Sequence, residues 1–124
     1  MSYNLQYKNN GFILEHKGVT TIEEINKINA LVQGHDNFDA HNYQIVNLLD
    51  ADFSSINHST AEMPAATDWV ASRTRRNVKV ALVADEKTAI DFCQGYISES
   101  LDMGSPWQFK LFNQLNDAFE WVEI

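Results

Sequence analysis

The stretch VKVALVA at residues 78–84 constrains this chain more than any other. It is apolar nearly throughout, rich in β-branched side chains, and too short for a buried helix. Such a run is a strand covered on both faces, and strands of that kind sit inside parallel sheets flanked by helices. Two more runs repeat the signal: YQIVNLL at 43–49, and WQFKLF at 107–112, where aromatics alternate with Gln108 and Lys110.

The intervening stretches have helical spacing. In VTTIEEINKINALVQG a threonine caps the start, Glu23 and Glu24 complement the positive dipole end, and Gly34 suits the finish. Ile25, Ile28 and Val32 give its buried stripe, with Ile22 and Leu31 beside it. From about 60 to 76, Met63, Ala66, Trp69, Val70 and Arg73 share one side. Ser59-x-x-Glu62 has capping-box spacing there, and Pro64 belongs to the first turn. Asp85 is placed to cap a third helix with Ile90, Cys93, Ile97 and Leu101 as its stripe, ended by Gly104-Ser105-Pro106. Asn113 caps a short last helix presenting Leu115, Ala118, Phe119 and Val122.

Before all this, YNLQYKNNGFILEHKG alternates moderately on both sides of Asn9-Asn10-Gly11, which predicts an antiparallel hairpin with strands at about 3–8 and 11–17. The order is ββαβαβαβα: an α/β fold with a mostly parallel five-stranded sheet and an antiparallel N-terminal strand. No repeat or Pro/Gly-rich linker divides residues 1–124, so the expectation is a single domain. Functional residues of such sheets gather beyond the C-terminal strand ends, here the loops after 49, 84 and 112.

Charge narrows the function. Seventeen acidic against nine basic residues give a net charge of −8, which disfavours nucleic acid and anionic membrane surfaces as partners. The lone Cys93 excludes an internal disulfide and suits a reducing compartment. No signal segment or membrane-length apolar run is present, so the expected location is the cytoplasm, without membrane insertion.

The element order, the strand ending NLLD, the strand VKVALVAD and the closing FKLFNQLNDAFEWV resemble a SpoIIAA-like domain, the fold of STAS domains and anti-sigma-factor antagonists, distantly related to SEC14-type lipid-binding domains. The resemblance spans roughly residues 3–123, on weak motifs: an apolar strand ending in Asp and a terminal x-x-A-F-x-W-V helix. In those antagonists a strand-end Asp precedes an Asp-Ser-Ser-Gly helix start whose first serine is phosphorylated by a partner kinase. Laid on this chain from Asp50, that motif falls on His58-Ser59-Thr60-Ala61, and three of the four residues depart from it. The resemblance implies Ser59 as the phosphoacceptor position.

The candidate regulatory or partner-binding residues are Asp50, Asp52, Ser54, Ser55, Ser59 and Thr60. A phosphate on these hydroxyls adds about −1.5 to −2 charges, welcome at a helix N-terminus and repelled by an acidic partner. Their plainer role is to cap and turn. Asp50 and Asp52 lack the further oxygen ligands a cation needs and the environments that push paired carboxyls apart. HDNFDAH, with His35, Asp36, Asp39 and His41, offers zinc-type ligands at no familiar spacing and reads as a solvated connection. Arg73, Arg75 and Arg76 complement a helix C-terminus or form a small anion or partner patch. Cys93 reads as an inert core thiol, and Trp69, Trp107, Trp121, Phe92 and Phe119 as packing or the walls of an apolar pocket.

The sequence thus points to a non-enzymatic regulatory domain that docks a protein partner around residues 50–62, with no catalytic residues, metal or cofactor. The alternative is a carrier or sensor of a small apolar or lipid-like ligand. A two-fold homodimer is expected only because such dimers are the commonest.

Overall fold

A computed structural model describes residues 2–56, 69–73, 75 and 77–123. The strands are β1 (Ser2–Lys8), β2 (Gly11–Val19), β3 (Tyr43–Asp52), β4 (Lys79–Val83) and β5 (Gln108–Phe112). The helices are α1 (Ile22–Gln33), α2 (Lys87–Asp102) and α3 (Leu115–Val122), with a 3-10 turn at Phe38–Ala40. The sheet runs in chain order, β1-β2-β3-β4-β5, with β1 antiparallel to β2 and every other pair parallel. This is the α/β architecture expected. Of the helix expected at 60–76, residues 69–72 are helical and Arg73 and Arg75 lie beyond its end, while Met63, Pro64 and Ala66 lie outside the described residues. No helix of the described residues is long and apolar enough to cross a membrane.

The β1–β2 reversal uses Asn9 (φ 53°) and Asn10 (φ 63°), the left-handed pair that a two-residue hairpin turn requires. Gly11 is a strand residue, as the expected strand at 11–17 has it. It opens β2 opposite Lys8, where a Cβ would lie 2.1 Å from Tyr43 Cε2, so the ring of Tyr43 demands glycine there.

Strand alternation divides the apolar residues between two layers. One joins Phe12, Leu14, Leu48, Val80 and Leu82 of the sheet to Ile25, Ile28 and Val32 of α1 and to Ala89, Phe92, Cys93 and Tyr96 of α2. The other is smaller, with Tyr43, Ile45, Ala81 and Val83 under Ala118 of α3, flanked by Leu115, Phe119 and Val122.

The helices differ from expectation in detail. On α1 a threonine caps the start as expected, and Glu24 extends the cap to a capping box, Thr21 Oγ1 accepting from Glu24 N at 3.3 Å while Glu24 Oε2 accepts from Thr21 N at 3.3 Å. Leu31, however, is 43% exposed. The cap residue of α2 is Glu86 rather than Asp85, and that of α3 is Gln114 rather than Asn113, neither with a side-chain cap bond. α2 is also rotated from the expected stripe: Ala89, Phe92, Cys93, Tyr96 and Ser100 are buried, and Leu101 is exposed. The two large rings decide this, Phe92 packing edge-on to Phe53 at 5.0 Å and Tyr96 to Phe109 at 5.6 Å.

Candidate functional site

β3 does not stop at residue 49. It continues to Asp52 because β2 also continues, to Val19, and the two keep pairing after a break in register. Glu15 pairs with Asn47 and Lys17 with Asp50, so His16 alone stands opposite Leu48 and Leu49. This is a β-bulge, a device that re-aims side chains near functional edges. Asn47 steadies it, its Oδ1 accepting from Leu49 N at 3.1 Å. Asp50 and Asp52 are therefore strand residues at the C-terminal edge.

Beyond the bulge the end of β3 is stitched to the β2–α1 junction. Thr20 N donates to Asp52 O at 2.9 Å, and Ser55 Oγ donates to Thr20 O at 3.3 Å. Ser54 N donates to Asp52 Oδ1 at 2.9 Å. Hydrogen bonds from Ser54 hold the Asp52 carboxyl below the ordinary carboxylate value. Asp50, Ser54 and Ser55 are exposed on this ledge, as is Val19 at 54%. Exposed Glu23, Asp85 and Glu86 lie on the same C-terminal side, in the first turn of α1 and the loop after β4. Ser59 and Thr60 lie outside the described residues, so the ledge brings together four of the six expected candidates.

Directly inside the ledge is a cavity of about 50 Å³. α1 contributes Ile25 and Asn29, α2 contributes Phe92, Cys93 and Tyr96, and the sheet end contributes Leu14, His16, Leu48 and Phe53. His16 is 3% exposed and its Nδ1 has no hydrogen-bond partner among the described residues. Burial lowers its pKa below the ordinary 6.5, opposed by the charge of Glu24, so the ring is neutral at neutral pH. The Cys93 thiol is pushed up to about 12 by burial and is inert, as its place in an apolar stripe suggested.

In the sequence His16 adds no clear third ligand to HDNFDAH, yet a signal of its burial is there. Phe12, Leu14 and His16 alternate, so the period that buries the first two also buries the histidine.

The other candidates resolve into structure. His41, expected in a solvated connection, is fully buried with Phe38. Its Nδ1 bonds Phe38 O, which can only accept, so Nδ1 carries the proton and Nε2 accepts from Gln44 Nε2 at 3.2 Å. The connection is drawn inward because aromatic packing rewards it: His41 lies 5.0 Å from the Phe12 ring and 4.7 Å from Phe38. His35 stacks on Tyr7 at 5.7 Å, while Asp36 and Asp39 are exposed. Among the described residues no three His, Cys, Asp or Glu side chains are grouped to hold a metal.

Arg75 is a staple. Its Nε donates to His41 O at 2.7 Å and its Nη2 to Asn42 Oδ1 at 2.6 Å, while its own carbonyl accepts Trp107 Nε1 at 2.6 Å. Arg73 lies 5.8 Å over the Trp69 ring, and Arg76 is outside the described residues.

Comparison with known proteins adds no relative: no family model matches the chain, and no curated protein or solved structure matches it.

Proposed function

We propose that this chain is a non-enzymatic regulatory domain that docks a protein partner through the ledge at the C-terminal ends of β2 and β3. One observation carries the reading. The Asp52–Thr20–Ser55 hydrogen bonds hold a turn in a fixed shape while leaving Asp50, Ser54, Ser55 and Val19 exposed on it. A surface already ordered before binding loses little entropy when a partner arrives. The partner's own surface is basic, by complementarity to Asp50, Asp52, Glu23, Asp85 and Glu86 and to the net charge of −8.

The ledge also gives phosphorylation a physical handle. A phosphate on Ser55 would remove its bond to Thr20 O and add about −1.5 to −2 charges. Ser59, the position that the SpoIIAA-like resemblance implies, belongs to the same proposal. The element order and the mostly parallel sheet support that kinship.

The test is capture from host extract by immobilised wild-type protein and by an Asp50→Lys, Ser54→Lys double variant. The reading expects at least one protein, released by raised salt, that only the wild type retains. Identical retention by both would sink it.

A further inference from the structure

A polar atom buried without a partner costs stability, so folded proteins seldom keep one without a use. Among the described residues His16 Nδ1 is such an atom, and His16 lines a cavity whose wall is otherwise largely apolar. The bulge in β3 leaves His16 without a one-to-one partner on that strand, and both flanking helices bring mostly carbon to the space.

We propose that this cavity is the seat of a small neutral molecule with an apolar body and one hydrogen-bonding group, received by the His16 imidazole. The volume, about 50 Å³, takes roughly three or four non-hydrogen atoms, and a lipid acyl chain needs several times as much. A charged ligand is refused, because Leu14, Ile25, Leu48, Phe53 and Phe92 offer nothing to replace its water. Neutral His16 serves either as donor or as acceptor, so an alcohol-type hydroxyl suits it in both tautomers. Asn29 supplies a second polar edge.

The seat also communicates with the ledge. Phe53 is 1% exposed, lines the cavity, and is followed directly by the exposed Ser54 and Ser55. Its carbonyl accepts from Ile56 N at 3.0 Å, which closes the turn over it. A ligand pressing on Phe53 therefore moves the turn that presents the two serines. The seat itself does not depend on the docking reading.

The probe is 1-propanol, titrated into the full-length protein and followed by backbone amide NMR and by the ring nitrogens of His16. The expected result is saturable shifts, with an affinity on the order of millimolar, at Leu14, Leu48, Phe53 and Cys93, accompanied by His16 Nδ1 and followed by Ser54 and Ser55. In His16→Phe the propanol response is lost, while xenon, an apolar probe, still perturbs the same amides. Absence of a saturable response in the wild type overturns the proposal, and so does an equal response in His16→Phe. Should that variant fail to fold, the wild-type ring nitrogens decide alone: a moving Nδ1 supports the seat, and a fixed one overturns it.

Discussion

The two ends of the parallel sheet each bury a histidine, and the fold treats them oppositely. At the N-terminal end His41 is fully buried with both ring nitrogens bonded, and Arg75 grips its carbonyl. At the C-terminal end His16 is almost as deep, at 3% exposure, but its Nδ1 has no partner among the described residues and it borders a cavity. Residue type and burial are the same, so neither marks a site. What separates the two is unspent hydrogen-bonding capacity. A satisfied network fixes a unique arrangement, and an unsatisfied one leaves a place for something else.

That contrast can be broken most severely at the closed end. Gly11→Ala drives a Cβ into the Tyr43 ring, whose hydroxyl is tied to Lys8 O at 2.7 Å, so the ring cannot swing away freely. The expected loss is about 3 kcal/mol, read as a lower urea midpoint. Next, Arg75→Ala leaves His41 O and Asn42 Oδ1 without their donor. About 2 kcal/mol should go, with faster amide exchange around Asn42 and Lys79, which are themselves bonded at 3.1 Å.

The open end should answer with the opposite sign. His16→Leu removes the unpaired nitrogen and fills part of the cavity with carbon. Stability should be unchanged or higher, by up to about 1 kcal/mol, in the same urea experiment. A loss comparable to that of Arg75→Ala would mean that His16 is as structural as His41.

Acid sharpens the comparison further. Burial lowers the pKa of both histidines below 6.5 in the folded chain. Above that value both states are neutral and nothing depends on protonation. As pH falls below it the unfolded chain takes up protons that the folded one refuses, so stability declines as the pH drops below about 6.5. His16→Leu should make that decline shallower without abolishing it, because His41 remains. Asp52 works in a lower window. Its depressed carboxyl pKa contributes stability that is lost only as pH drops through the acid carboxylate range. The smallest effect is expected from Asp52→Ala: little change in global stability, but loss of exchange protection at Ser54 N, whose acceptor is gone.

Much of the architecture could be read directly from the chain. VKVALVA, YQIVNLL and WQFKLF became adjacent parallel strands, and Thr21 with Glu24 closed a capping box, because a short apolar run or a cap is decided by neighbours in sequence. The rotation of α2 was less accessible. Two overlapping stripes compete on that helix, and only the positions of Phe53, just past β3, and Phe109 of β5 select the one carrying Phe92 and Tyr96.

The site divides in the same way. Asp50, Asp52, Ser54 and Ser55 were marked by a strand end followed by hydroxyls, which is local information. The extension of β3 to Asp52 required β2 to pair with it beyond the bulge, and the cavity required two helices to meet over that bulge. Alternation along Phe12, Leu14 and His16 already determined that His16 faces inward. Whether it would find a partner there was decided by tertiary structure alone, because hydrogen-bond satisfaction depends on residues that only the folded chain brings within reach.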